Sequence, residues 1–182
     1  CARLLGVPLA DAAAALETAH GAKGRVEPVP TDGDYSIFID YAVTPDAIEN
    51  VLTTLRGIAP KRLVMLFGAG GDRDRKKRPI MGKISADIAD FVIVTSDNPR
   101  TEDPMSIIEE ILPGVRAGKA PYKVICDRPE AIRWAIDHHE PGDVILLCGK
   151  GHEDYQIIGH EKIHMDEREI VADYLAERAK RN

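Results

Sequence analysis

The sequence predicts an α/β fold: a Rossmann-like, doubly wound, mostly parallel sheet with a β-hairpin near the C-terminus. Three observations carry that expectation. Five short apolar runs are nearly continuous in hydrophobicity, as in strands covered on both faces. Amphipathic stretches with apolar residues at helical spacing separate them. Polar and Gly-rich clusters follow the apolar runs, at the strand ends where open α/β sheets bind ligands.

Taken in order, Leu9 to Ala19 is Ala-rich and forms a helix by propensity. Gly21, Gly24, Pro28 and Pro30 then read as a linker. The five strands are Ser36–Asp40, Leu63–Phe67, Phe91–Thr95, Lys123–Cys126 and Val144–Cys148. Thr44 caps a helix that Pro45 opens, with Ala47, Ile48, Val51, Leu52 and Leu55 on one face. Further helices run from Pro79 to Ala89, Pro104 to Leu112 and Pro129 to His138, and a last one from after Asp166 to near Ala179. Gly159-His160, between Gln156-Ile157-Ile158 and Glu161–His164, marks the hairpin.

With 182 residues there is room for one well-cored domain and a short appendage. The net charge of -6 argues against a general nucleic-acid or anionic-membrane surface. No apolar run approaches the roughly 20 residues of a membrane span, so a cytoplasmic protein is expected. Cys1, Cys126 and Cys148 lack metal-ligand spacing and read as free thiols in a reducing compartment. The chain starts at Cys1 without Met, mid-pattern, and reads as a piece of a longer protein.

The chemistry gathers in four loops. Asp40-Tyr41-Ala42 follows the first strand, and Gly68-Ala69-Gly70-Gly71-Asp72-Arg73-Asp74 the second. Asp97-Asn98-Pro99-Arg100 follows the third, and Gly149-Lys150-Gly151-His152-Glu153 the fifth. Glycines permit close backbone approach, and arginine grips a carboxylate with two parallel hydrogen bonds. Aspartate accepts from an ammonium, so Asp97 to Arg100 suits a zwitterion such as an amino acid; helix capping and a turn are the alternative. Arg73 lies beside a turn between two aspartates, whereas Arg75, Lys76 and Lys77 read as a solvated basic loop. Glu153 offers a second ammonium site. Neither Walker A nor Gly-x-Gly-x-x-Gly occurs. His138, His139, His160 and His164 show no zinc spacing, so no metal site is expected. Trp134 reads as core.

These motifs, together with Gly24-Arg25-Val26-Glu27, Lys77-Arg78-Pro79 and Tyr155-Gln156 and in this order, resemble the C-terminal domain of the Mur ligases of the UDP-N-acetylmuramoyl-tripeptide synthetase (MurE) branch. The resemblance covers nearly the whole chain. It implies a domain over residues 23–182, preceded by a remnant of the family's central ATPase domain over residues 1–22. It implies an ATP-dependent, ADP-forming ligase that adds an amino acid to UDP-MurNAc-L-Ala-D-Glu in peptidoglycan synthesis. The Asp97-Asn98-Pro99-Arg100 form is the one associated with meso-diaminopimelate. By the same match Arg73 and Arg100 would hold the ligand's distal carboxylate, and Asp97 and Asn98 would contact the same end. Gly149 and Glu153 would take its ammonium, and Arg25 and Asp40 would meet the nucleotide ribose. Val43 stands where the family usually has His. No catalytic residue is expected within the chain. The phosphate loop, the Mg2+ ligands and the carbamylated lysine would belong to the central domain against which this one packs, and the chain alone is expected to be inactive. The alternatives are a lysine-adding ligase, against which Arg100 argues, and a non-catalytic α/β module that binds an anion or amino acid.

Overall fold

The computed structural model describes residues 1–19 and 21–181. A single turn of 3-10 helix, Ala2–Leu5, precedes helix α1 (Leu9–Glu17). Then come β1 (Glu27–Val29), β2 (Ser36–Asp40), α2 (Pro45–Arg56), β3 (Leu63–Phe67), α3 (Lys77–Ile88) and β4 (Phe91–Val94). The chain continues with α4 (Pro104–Arg116), β5 (Tyr122–Val124), α5 (Arg128–Asp137), β6 (Val144–Cys148), β7 (Tyr155–Ile158), β8 (Glu161–His164) and α6 (Glu167–Arg181).

Six strands form one sheet in the order β1-β2-β6-β3-β4-β5, and β7 pairs with β8 in a separate hairpin. All pairings from β2 to β5 are parallel. The expected architecture is therefore present, and the central strands β3 and β6 are buried along their whole length. Side chains alternate between two cores. Leu63, Met65 and Phe67 of β3 meet α2, α3 and α4, while Val64 and Leu66 meet α5 and α6.

The linker reading of residues 24–30 needs correction. Glu27–Val29 is an antiparallel edge strand on β2, with Glu27 opposite Ile39. An edge strand is bonded on one side only, so Pro28 is tolerated there. Two strands end earlier than expected, β4 at Val94 and β5 at Val124. Helix α4 runs on through Pro113 to Arg116. Proline's missing N–H removes one intrahelical bond, and burial of Ile111, Leu112 and Val115 outweighs that loss.

Three helices start the same way. Thr44 Oγ1 accepts from the Ala47 amide, Asp103 Oδ2 from Ser106 and Asp127 Oδ1 from Glu130, each with a proline in the first two helical positions. Each cap contributes about 1 kcal/mol. Together they fix where the chain turns from strand into helix, and hence the loops that carry the polar clusters.

Candidate functional site

Asp40, Cys148, Phe67 and Val94 lie side by side across β2, β6, β3 and β4. The four strands therefore release their following loops at one level, and the four motifs meet above the sheet.

The loops after β3 and β4 are joined backbone to backbone. A Cβ on Gly71 would stand 1.8 Å from the Pro99 carbonyl oxygen, and one on Gly68 2.4 Å from that of Thr95. The Gly71 amide donates to the Asn98 carbonyl at 2.9 Å. Only glycine admits that approach. Asp72 completes the joint: its carboxylate accepts from Thr101 Oγ1 at 2.8 Å, and its amide donates to Glu102 Oε1 at 2.6 Å. Arg78 lies beneath, fully buried, donating to Glu102, Glu110 and the Gly70 carbonyl. Its guanidinium is the main reason the Glu102 carboxyl is held down to about 2. The basic run is thus divided. Arg75 and Lys76 are exposed, as expected of a solvated loop, and Arg75 pairs with Glu110. Arg78 is a buried structural cation, and Lys77 is half-buried at the site, its Nζ donating to the Val43 carbonyl at 2.9 Å.

Where the loops meet there is a cavity of about 130 Å³. Arg73, Asp97, Asn98, Arg100, Gly149 and Glu153 all line it, beside Lys77, Tyr41, Val43 and Met81. Sequence reasoning therefore picked out a set of residues that the fold brings to one place. Their states differ. Asp97 is buried, and its Oδ1 accepts from the Asn98 amide at 2.6 Å. Its Oδ2 is buried without a partner among the described residues, 2.7 Å from where a Cβ on Gly149 would lie. A buried carboxylate oxygen without a donor costs free energy that a cationic ligand would recover.

Arg100 takes a left-handed backbone conformation, φ 54°, fixed by bonds from its amide to the Ile157 carbonyl and from the Gly159 amide to its own carbonyl. Its Nη1 rests on the Gly71 carbonyl at 2.9 Å. Arg73 is exposed and, among the described residues, bonds only the Asp72 carbonyl, so it is not fixed between the two aspartates as its position in sequence suggested. Among the described residues, none of Arg73, Lys77 and Arg100 pairs with a carboxylate. Burial opposes ionisation of Glu153, but hydrogen bonds from Lys150 and Asn98 outweigh it and hold the carboxyl below its ordinary value.

Arg25 and Asp40 lie apart from this cavity. Asp40 accepts from the amides of Ala42 and Val26, at 2.8 and 2.9 Å, which fastens the segment before β1 to the end of β2. Arg25 is exposed, its guanidinium 5.3 Å from the centre of the Tyr41 ring, with His152 on the same ring at 4.9 Å. The Arg128–Glu167 pair carried no local signal in the sequence. Both are fully buried, and Arg128 ties the Cys148 and Ser96 carbonyls to the start of α6.

A family model described as Mur ligase, glutamate ligase domain, matches residues 24–151. The chain belongs to the Mur ligase family. This Mur ligase domain is 51% identical over 179 residues to the UDP-N-acetylmuramoyl-L-alanyl-D-glutamate--2,6-diaminopimelate ligase of Caldanaerobacter subterraneus subsp. tengcongensis, covering 98% of the chain and 37% of that protein. It is 53% identical over 178 residues to the ligase of the same name from Trichormus variabilis, covering 97% of the chain and 36% of the relative. The chain thus spans little more than a third of the length of these relatives. A solved structure of a ligase of that name superposes with a TM-score of 0.81 at 37% identity, covering 98% of the chain and 36% of the other. No described helix is long and apolar enough to cross a membrane.

Proposed function

We propose that this Mur ligase domain selects the amino acid for an ADP-forming ligase that adds meso-diaminopimelate to the D-glutamate of UDP-MurNAc-L-Ala-D-Glu. One observation carries the reading: a single cavity holds guanidinium groups and a buried carboxylate oxygen that, among the described residues, have no oppositely charged or hydrogen-bonding side-chain partner. Diaminopimelate brings a carboxylate and an ammonium on one carbon at its far end. Arg100 and Arg73 take the carboxylate, with the paired geometry that arginine favours. Asp97 and Glu153 take the ammonium, in the space that Gly149 leaves open. Asn98 acts from behind, because its amide is committed to Lys150, Glu153 and the Ile157 amide. L-Lysine has the far ammonium without the carboxylate. Binding it leaves the guanidinium of Arg100 desolvated and unanswered, which favours diaminopimelate by on the order of 10²-fold or more.

In this reading ATP first phosphorylates the peptide carboxylate, and the amine of the incoming amino acid then displaces phosphate. The Mg2+ expected with ATP is assigned in this reading to the central domain. Helix α1 buries none of its residues, and Leu4, Leu5, Leu9 and Leu16 are exposed. That apolar surface supports assigning residues 1–22 to the central domain of the same enzyme. On the family match, Arg25 and Asp40 would meet the ribose of the nucleotide there, with the Tyr41 ring beside Arg25.

The test is amide formation by the full-length protein, with meso-diaminopimelate, L-lysine and L-ornithine compared at equal concentration. Diaminopimelate alone should be joined efficiently. Equal use of lysine would overturn the specificity, and failure with all three would overturn the ligase reading.

A further inference from the structure

Lys150 is fully buried, yet it does not line the cavity. A buried ammonium needs partners for its protons. Nζ donates to Asn98 Oδ1 at 2.8 Å and to Glu153 Oε2 at 2.9 Å, and it lies 5.3 Å from the centre of the Tyr155 ring. Asn98 Nδ2 donates to the same Glu153 oxygen at 2.9 Å. The three side chains therefore close a ring of hydrogen bonds, joining the loop after β4 to the loop after β6. Asn98 Oδ1 also accepts from the Ile157 amide, so the ring is anchored to the hairpin.

The ring uses one oxygen of Glu153 fully. The other, Oε1, has only the Tyr155 hydroxyl at 3.3 Å. Glu153 is half-buried, and burial alone would raise its pKa toward neutrality. The charged neighbour supplied by the protein is Lys150, held behind Glu153 and away from the ligand. Of the other charged groups, Asp97, Arg73, Lys77 and Arg100 line the same cavity.

We propose that Lys150 is a positioning residue for ligand recognition: its bond to Oε2 fixes the Glu153 carboxylate at the cavity wall and leaves Oε1 for the ligand, so binding of the ligand's ammonium depends on a lysine that never touches it. This rests on the proposed role of the cavity in holding an amino acid. It also accounts for the type of residue. An apolar residue at 150 leaves Glu153 to protonate, whereas arginine is too long for a pocket closed by Asn98 and Tyr155.

The experiment measures KM for meso-diaminopimelate and for ATP, and kcat, in the full-length enzyme between about pH 5.5 and 8. Lys150→Met should raise the diaminopimelate KM on the order of tenfold near neutrality, the scale of one charged hydrogen bond. The ATP KM should stay put, and the diaminopimelate KM should climb more steeply than in the wild type as pH falls, because Glu153 has lost the cation that favours its ionised form. A merely structural lysine would lower kcat and thermal stability with no new pH dependence, and that outcome overturns the proposal. Glu153→Gln, alone and combined with Lys150→Met, covers the case in which the single variant does not fold, since the double variant leaves no unpaired buried charge. The two should share one diaminopimelate KM; a further tenfold rise in the double variant would mean that Lys150 acts independently of Glu153. If the wild-type enzyme does not use diaminopimelate, the reading of the cavity fails; if it does and Lys150→Met is unchanged, only the role of Lys150 fails.

Discussion

Arg100 combines two properties that are separable by mutation. Its guanidinium lines the cavity, where the proposed reading has it take the ligand's carboxylate, and its backbone sits at φ 54°, where a side chain other than glycine is strained. Arg100→Ala should raise the diaminopimelate KM by a factor of about thirty or more, corresponding to about 2 kcal/mol. Arg100→Gly should lose the same affinity while melting no lower than wild type, because glycine relieves the backbone strain. Equal loss of affinity and melting temperature in both variants would mean that the arginine is structural. At this scale the cavity-lining residues were legible: Asp97, Asn98, Arg100, Gly149 and Glu153 stand out as unusual residues at strand ends. Their supports were not. Lys150 looked like part of a glycine-rich loop, and Arg78 like one more cation in a basic run. Burial of each depends on partners far along the chain, Asn98 for one and Glu102 and Glu110 for the other.

Among the elements, α3 and α4 pack with little space between their backbones. A Cβ on Gly114 would stand 1.8 Å from the Pro79 carbonyl oxygen, and one on Gly82 2.5 Å from that of Ile111. Helix propensity alone favours alanine over glycine by about 1 kcal/mol. Here the clash is with backbone, which cannot rotate away, and overpacking costs about 1–3 kcal/mol or more. Gly114→Ala should therefore lower the melting temperature, and a variant as stable as wild type would show that the helices can separate freely. The strands and helices themselves were mostly readable, because β2, β3, β4 and β6 are continuous apolar runs and prolines mark the helix starts. Strand β1 was not, since three residues containing a proline carry no period, and it exists only because β2 offers an open edge.

The molecule as a whole holds its loops with carboxylates whose pKa values lie below their ordinary range. Glu102 is lowered to about 2 chiefly by Arg78, Glu110 is lowered by hydrogen bonds from Arg75 and Arg78, and Glu27 by one from Arg168. A carboxylate depressed in the folded state contributes stability that is complete above its unfolded value, here 4.5. That contribution drains away as pH falls toward the folded value. Urea unfolding midpoints of the 182-residue chain should thus hold near neutrality and fall steadily below about pH 4.5. Arg78→Met, which lacks the main partner, should begin less stable and lose less over the same range. A midpoint independent of pH there would remove these pairs from the account of stability.

The place of β6 between β2 and β3 has a consequence for the order of events in folding. Residues 36–40 and 63–67 are made first but do not pair with each other; each waits for Val144–Cys148. During synthesis the nascent chain must keep two apolar strand edges unmatched until about eighty further residues have emerged, and closing such long loops is slow. The last strand of the six-stranded sheet to arrive, β6, is followed at once by Gly149, Lys150 and Glu153. A chain stopped short of β6 therefore lacks both the middle of its sheet and the far wall of its cavity, so the cavity can form only once nearly all of the domain has been made.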